Sequence, residues 1–145
     1  MAHAGLTYDD GRGSVTVEAA FGPHDEPEPC PGNLPYQASC TEEWLPDGSQ
    51  LTIADYAGFA KPGPGETWRW PVVERAATLV RADGRLVTVS VRNDVAPRGF
   101  GPPTRPDLPL TGKQLAAIVQ SPVWQDTVPI SIAQAGQRLK PFRVR

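Results

Sequence analysis

Long apolar runs are missing from this chain. No stretch approaches the roughly 18–20 residues that cross a bilayer as a helix, so this segment is expected to make no membrane contact of its own. Histidine is scarce, with only His3 and His24, and cysteine scarcer in kind, with only Cys30 and Cys40. Two cysteines ten positions apart do not match the knuckle spacing of a zinc site, nor the Cys-x-x-Cys spacing of a redox pair. No metal and no cofactor is expected. A net charge of -2 lacks the basic excess that a general nucleic-acid or membrane-surface binder needs. The serines follow no Gly-x-Ser-x-Gly pattern. Thr111-Gly112-Lys113-Gln114 resembles the end of a phosphate loop, but Asp107 stands where its first glycine belongs, and no hydroxyl follows Lys113. No catalytic set emerges, and the chain is expected not to be an enzyme. The opening residues lack a basic start and an apolar core, so an exported protein would need a leader or anchor from outside this sequence.

Proline and glycine are abundant, at seventeen and fourteen residues. They point to a loop-rich, strand-dominated domain, and 145 residues fit one such domain with its own core. Residues 30–40 are rich in turn formers, which brings the two cysteines close and predicts a Cys30–Cys40 disulfide. A disulfide in turn points to a compartment outside the reducing cytosol. The charge is unevenly spread along the chain. Residues 1–60 hold ten acidic side chains and one basic, and residues 61–145 hold six acidic and thirteen basic. Two readings stay open: halves interleaved in one sheet, with compensating charges, or a dipolar surface that steers a partner.

Along the chain, residues 1–13 read as a disordered or artificial start, 14–133 as a single α+β domain, and 134–145 as a basic, mobile tail. Val15, Val17, Ala19 and Phe21 alternate with Ser14, Thr16, Glu18 and Ala20, the period of a half-buried strand. His24 sits with Asp25, Glu26 and Glu28 among prolines, which reads as a solvated acidic loop rather than an acid–base or metal site. Two Asp-Gly turns then mark hairpins. Around Asp47-Gly48 the register is open, with either Leu45 or Trp44 opposite Leu51. Around Asp83-Gly84 a two-residue loop puts Val80, Val87, Thr78, Val89, Ala76 and Val91 on one face, with Arg75, Arg81, Ser90 and Arg92 on the other. Pro71 places residues 68–73 at a strand start or sheet edge. Five prolines between Ala96 and Pro109 give an extended crossing. Thr111 and Gln114 have capping-box spacing, and Leu110 and Leu115 occupy staple positions. They open a helix over 111–121 with a Leu115, Ile118, Val119 stripe, beside which Trp124 packs. Residues 128–133 form a candidate last strand. The expected fold is therefore a mainly antiparallel sheet of four to six strands, with one short helix in the C-terminal half packed on the Val80/Val87 face.

Among the aromatics, Trp44, Tyr56, Trp68 and Trp70 form the candidate binding surface, with Trp68 and Trp70 sharing a strand face. Two readings stand side by side: a small core cluster, or an exposed ledge for a glycan, peptide or protein.

The order of features resembles an exported domain of actinobacterial membrane-anchored proteins and lipoproteins. The matching residues are Cys40-Thr41, Leu45-Pro46-Asp47-Gly48-Ser49, Trp70, Val89-Ser90-Val91-Arg92-Asn93, Pro109-Leu110-Thr111, Gln114-Leu115 and Pro122-Val123-Trp124. The resemblance covers residues 14–124 and implies location and fold more than activity. With the cysteine pair, it leads to the expectation of a non-enzymatic extracytoplasmic binding or sensing domain, tethered in the native protein, with an envelope or protein partner. The alternative is a secreted inhibitor or interaction module presenting the Cys30–Cys40 loop or the Trp68/Trp70 strand.

Overall fold

Among the described residues, six strands and one helix form from these patterns: β1 (Ala2–Asp9), β2 (Ser14–Pro23), β3 (Gln37–Trp44), β4 (Gln50–Ala57), β5 (Val73–Val80), β6 (Arg85–Arg92) and α1 (Gly112–Val119). The computed structural model describes residues 1–24, 30, 35–95, 100–125, 131 and 134. All strands join one antiparallel sheet in the order β1-β2-β6-β5-β4-β3, so the chain is an α+β protein with a mainly antiparallel sheet. Strands β3 to β6 form a meander, and β6 lies beside β2. The helix begins where expected: the Thr111 side chain accepts from the Gln114 N–H, and the Gln114 side chain accepts from the Thr111 N–H.

The helix lies over β5, with β6 and β4 to either side, and buries Leu115, Ala116 and Val119. Beneath it are Val15 of β2, Leu51 of β4, Ala77 and Leu79 of β5, and Val87, Val89 and Val91 of β6. Val17, Ala19 and Phe21 pack at the margin of this core, so the alternation read in β2 is the one observed. Ile118 of the expected stripe is instead 37% exposed, and Ala116 takes its place. Two arginines, Arg75 of β5 and Arg81 just past its end, hold the helical segment at both ends. Arg75 pairs with Asp55 and donates to the Leu110 carbonyl at 3.0 Å, while Arg81 donates to the Trp124 carbonyl at 2.8 Å.

Three expectations need correction. The Asp83-Gly84 hairpin has a three-residue loop, Ala82 to Gly84, closed by Arg81 and Arg85. Gly84 adopts φ +76°, the left-handed position of the bulge that such a loop requires. The strands are therefore shifted by one residue: Val80 faces Leu86, Leu79 faces Val87, and Thr78 faces Thr88. Val80, Thr78 and Ala76 consequently lie on the sheet face away from the helix, together with Ser90 and Arg92, while Arg75 and Arg81 lie on the helix face. The first hairpin also has a three-residue loop, but Leu45 meets Ser49 and Glu43 meets Leu51. Lastly, residues 2–9, expected as a disordered or artificial start, form edge strand β1 paired along its length with β2. Every residue of β1 is exposed, including Leu6 at 58%. The candidate strand at 128–133 and the basic tail 134–145 lie outside the described residues, apart from Ser131 and Gln134.

Among its described residues, the connection after β6 has no helix or strand, apart from an Asp94–Pro103 bridge. What fixes it is a set of buried polar residues. Asn93 accepts from the Val73 N–H at 2.8 Å and donates to the carbonyls of Pro71 and Arg105. Asp94 accepts from Arg92 and from the Gly101 N–H. Arg105, 2% exposed, reaches Asp10 at 2.7 Å and Asp107 at 3.1 Å, tying the crossing to the β1–β2 turn. Gly13 completes that junction. At φ +118° it lies so near the crossing that a Cβ would meet the Thr104 carbonyl oxygen at 2.8 Å. Asp55–Arg75, Glu18–Arg92 and Asp10–Arg105 all join the acidic half of the chain to the basic half, as interleaving in one sheet implies.

These contacts set the acid response. The Arg105 guanidinium holds the carboxyls of both Asp107 and Asp10 below the usual carboxylate value, and the Ser14 hydroxyl does the same for Asp9. A lowered value stabilises the fold above the unfolded value of 3.8, and that contribution is lost as pH falls through the folded value. The Asp10→Asn, Asp107→Asn pair of substitutions is therefore expected to flatten the loss of stability between pH 4 and 2, measured by urea unfolding. An unchanged slope would mean that these carboxylates are not the acid-sensitive groups.

Candidate ligand-binding groove

In the meander, the β3–β4 and β5–β6 turns fall at the same end of the sheet. They touch: a Cβ on Gly48 would stand 3.6 Å from the Ala82 Cβ. The C-terminal end of α1 points to this end too, and Pro122 stops the helix before the chain folds back at Trp124. Trp124 is held on several sides. Its indole N–H donates to the Ile118 carbonyl at 2.8 Å, its ring centroid lies 6.3 Å from that of Phe21, and its own carbonyl accepts from Arg81. Between the two turns and this segment runs a groove of about 530 Å³. Leu45, Leu79, Pro122 and Trp124 supply its apolar surface; Asp47, Ser49, Arg81, Asp83, Gln120 and Gln125 supply its polar groups. The volume falls within the roughly 300–1,000 Å³ of small-molecule sites.

The polar groups are preset by local structure. The Asp47 carboxylate accepts from the Ser49 N–H at 2.9 Å, which, with the Ser49 hydroxyl, lowers its pKa from the ordinary value. Asp83 accepts from the Arg85 N–H and guanidinium. Gln120 donates to the Ala116 carbonyl, leaving its amide oxygen turned to other uses. Two residue groups read separately in the sequence, Leu45–Ser49 and Pro122–Trp124, thus meet at one groove.

The opposite sheet face has a different character. Small and hydroxyl residues, among them Ala54, Ala76, Thr52, Thr78, Thr88 and Ser90, form its centre, and the Thr78 and Thr88 hydroxyls lie 3.1 Å apart. Glu74 stands across from Tyr56 on one side and Arg92 on the other. Burial pushes its carboxyl above the ordinary value of 4.5, outweighing the Ser90 hydrogen bond and the Arg92 charge. A raised carboxyl favours the fold when protonated. Its contribution is complete below the unfolded value and is lost as pH rises through the folded value. Glu74→Gln, which drops the charge and keeps a partner for Ser90, is expected to raise the thermal midpoint at pH 7 and to match the parent near pH 4. A lower midpoint at pH 7 would show that the ionised form is favoured.

The sequence-derived site residues scatter. Cys30 and Cys40 are bonded, with Cα atoms 5.8 Å apart, and the Cys30 N–H faces the Glu42 carboxylate at 3.4 Å. Trp44, 62% exposed, stands on edge strand β3. Tyr56 shares its sheet face, but six residues of β4 separate it from Gln50, which pairs with Trp44; that is about 20 Å of strand. Trp68 and Trp70 lie before β5 rather than on it, and Arg69, between them in sequence, sits 4.7 Å over the Trp70 ring. Among the described residues, no ring contact joins any two of the four. Tyr56 instead meets Tyr36, which meets Phe59, which meets Phe100 at 5.1 Å, and Arg92 lies over the Phe100 ring. The His24 backbone N–H binds the Gly84 carbonyl, and the acidic residues 25–29 lie outside the described residues. His3, placed in a disordered start by the sequence, lines a second cleft of about 340 Å³ with Glu18, Thr88 and Ser90. The groove has no local signature in the sequence because its residues come from three separate places in the chain. The available signal was the shared end that any two alternate turns of a meander must have.

Comparison of the chain with family models, curated proteins and solved structures finds no match in any of the three.

Proposed function

We propose that this chain is a non-catalytic extracytoplasmic binding domain whose ligand occupies the groove between the two Asp-Gly turns and Trp124. The groove carries the reading: an apolar surface ringed by polar groups already fixed by turn and helix-end hydrogen bonds. Carboxylates committed to turn N–H groups, with Asp47 held below its ordinary value, suit recognition better than proton transfer. The Cys30–Cys40 disulfide supports an oxidising compartment, and a tethered envelope protein accommodates both features. No helix among the described residues is long and apolar enough to cross a membrane.

The test is to trap thiols in protein taken from its native cells and read the intact mass. Oxidised Cys30 and Cys40 support the reading, whereas free thiols in freshly trapped protein overturn the extracytoplasmic part. Turnover of any substrate by the purified chain, abolished by one substitution in the groove, overturns the non-catalytic part. A second reading, a secreted interaction module, is favoured by one observation: exposed Trp44 stands on the same edge strand as Cys40. Loss of a protein partner on Trp44→Ala, with the groove variants unaffected, would favour it.

A further inference from the structure

Taking the groove as the ligand site, we infer that its ligand is a neutral saccharide, bound with the apolar side of a sugar ring against Trp124. The argument is one of exclusion followed by fit. An anion entering the groove meets two carboxylates, Asp47 and Asp83. A cation meets the Arg81 guanidinium, which is held at the groove by its bond to the Trp124 carbonyl and its place 5.9 Å from the Phe21 ring centroid. A wholly apolar ligand takes both carboxylates and the arginine out of water and leaves their remaining hydrogen-bonding sites unfilled, which is costly.

A neutral polyol avoids all three penalties. Each hydroxyl both donates and accepts, so it can donate to Asp47, Asp83 or the Gln120 amide oxygen and accept from Arg81. The carboxylates keep capacity for this, because each oxygen carries two acceptor sites and the turn N–H groups use only some of them. The C–H side of a sugar ring then needs a flat apolar neighbour. Trp124 is held in place for that role by its indole hydrogen bond and by Phe21, so little is lost in ordering it on binding.

The intact oxidised chain would be labelled with ¹⁵N and titrated with chitotetraose, maltotetraose and mannotetraose, each to about 10 mM, the weak end of specific affinities. Phosphate and spermidine serve as the anionic and cationic probes. At least one saccharide is expected to shift the Trp124 indole signal and the backbone signals of residues 47–49 and 81–84. Asp83→Asn keeps an acceptor for the Arg85 N–H and loses the charge; it is expected to weaken the binding about fivefold, the equivalent of one hydrogen bond. Trp124→Ala is expected to abolish binding, and a folded spectrum separates that from unfolding. If phosphate or spermidine moves these signals and no saccharide does, the saccharide assignment is overturned while the groove remains the site. If no probe moves them, or if saccharides move only Trp44, Trp68 or Trp70, both the assignment and the groove reading fall.

Discussion

Replacing Asn93 with alanine is expected to cost about 4 kcal/mol, the largest single effect in the chain. Asn93 is wholly buried and makes three side-chain hydrogen bonds, all to backbone groups: the Val73 N–H and the carbonyls of Pro71 and Arg105. Each contributes about 1 kcal/mol net, and the buried groups left without partners add roughly 1–3 kcal/mol more. Asn93 thereby joins the start of β5, the end of β6 and the crossing in one place. Asp is expected to fare no better, since it keeps the acceptor for Val73 but donates nothing and adds a charge beside Asp94. Urea unfolding measures the loss, which corresponds to a drop in thermal midpoint of roughly 10 °C or more. Hydrogen exchange at Val73 should rise with it. A loss under about 1 kcal/mol would mean that the freed groups find other partners and that the crossing is held elsewhere.

Removing the disulfide is the second large effect. Cys30→Ser with Cys40→Ser is expected to cost about 2–3 kcal/mol, the loop-closure value for ten residues of separation. The consequence should be local as well as global. Cys40 lies on β3, an edge strand paired among the described residues with β4 alone, and the bridge ties it to Cys30 in the chain between β2 and β3. Exchange of the β3 amides should therefore accelerate more than exchange in β5 or β6. Equal acceleration everywhere would place the bridge's contribution in the unfolded chain alone. The redox potential makes an independent check: a value below about -300 mV marks a structural bridge, and a pair that stays reduced in oxidising buffer would contradict the bond.

These two sites differ in how openly the sequence declares them. The cysteine pair is read at once, because only one pairing exists and turn formers fill the interval. The β2 alternation and the Thr111 capping box are equally plain, since each depends on residues within one element. Asn93 gives no local signal, since its partners lie 12–22 positions away, and Arg105 shows only its neighbour Asp107 while Asp10 lies 95 positions away. The slipped register of the second hairpin has a different cause. Gathering the valines on one face assumes that the other face is wet, yet Leu86, Thr78 and Ser90 on that other face are also buried. With both faces covered, alternation no longer selects between loops of two and three residues. Strand β1 escaped notice because alanine, glycine and histidine carry little strand preference; its pairing with β2 supplies what its composition does not.

The strand order also has a consequence in time. The β3-to-β6 meander closes through short connections, but β2 must wait for β6, whose residues lie about seventy positions later in sequence: Val17 pairs with Val91. Such distant pairing is slow, because loop closure must come before any contact repays it. On a ribosome, the β1–β2 hairpin emerges before β6 and is left with one edge unmatched until residue 92 has been made. During that interval, the apolar side of β2, from Val15 to Phe21, is the surface most in need of a guardian.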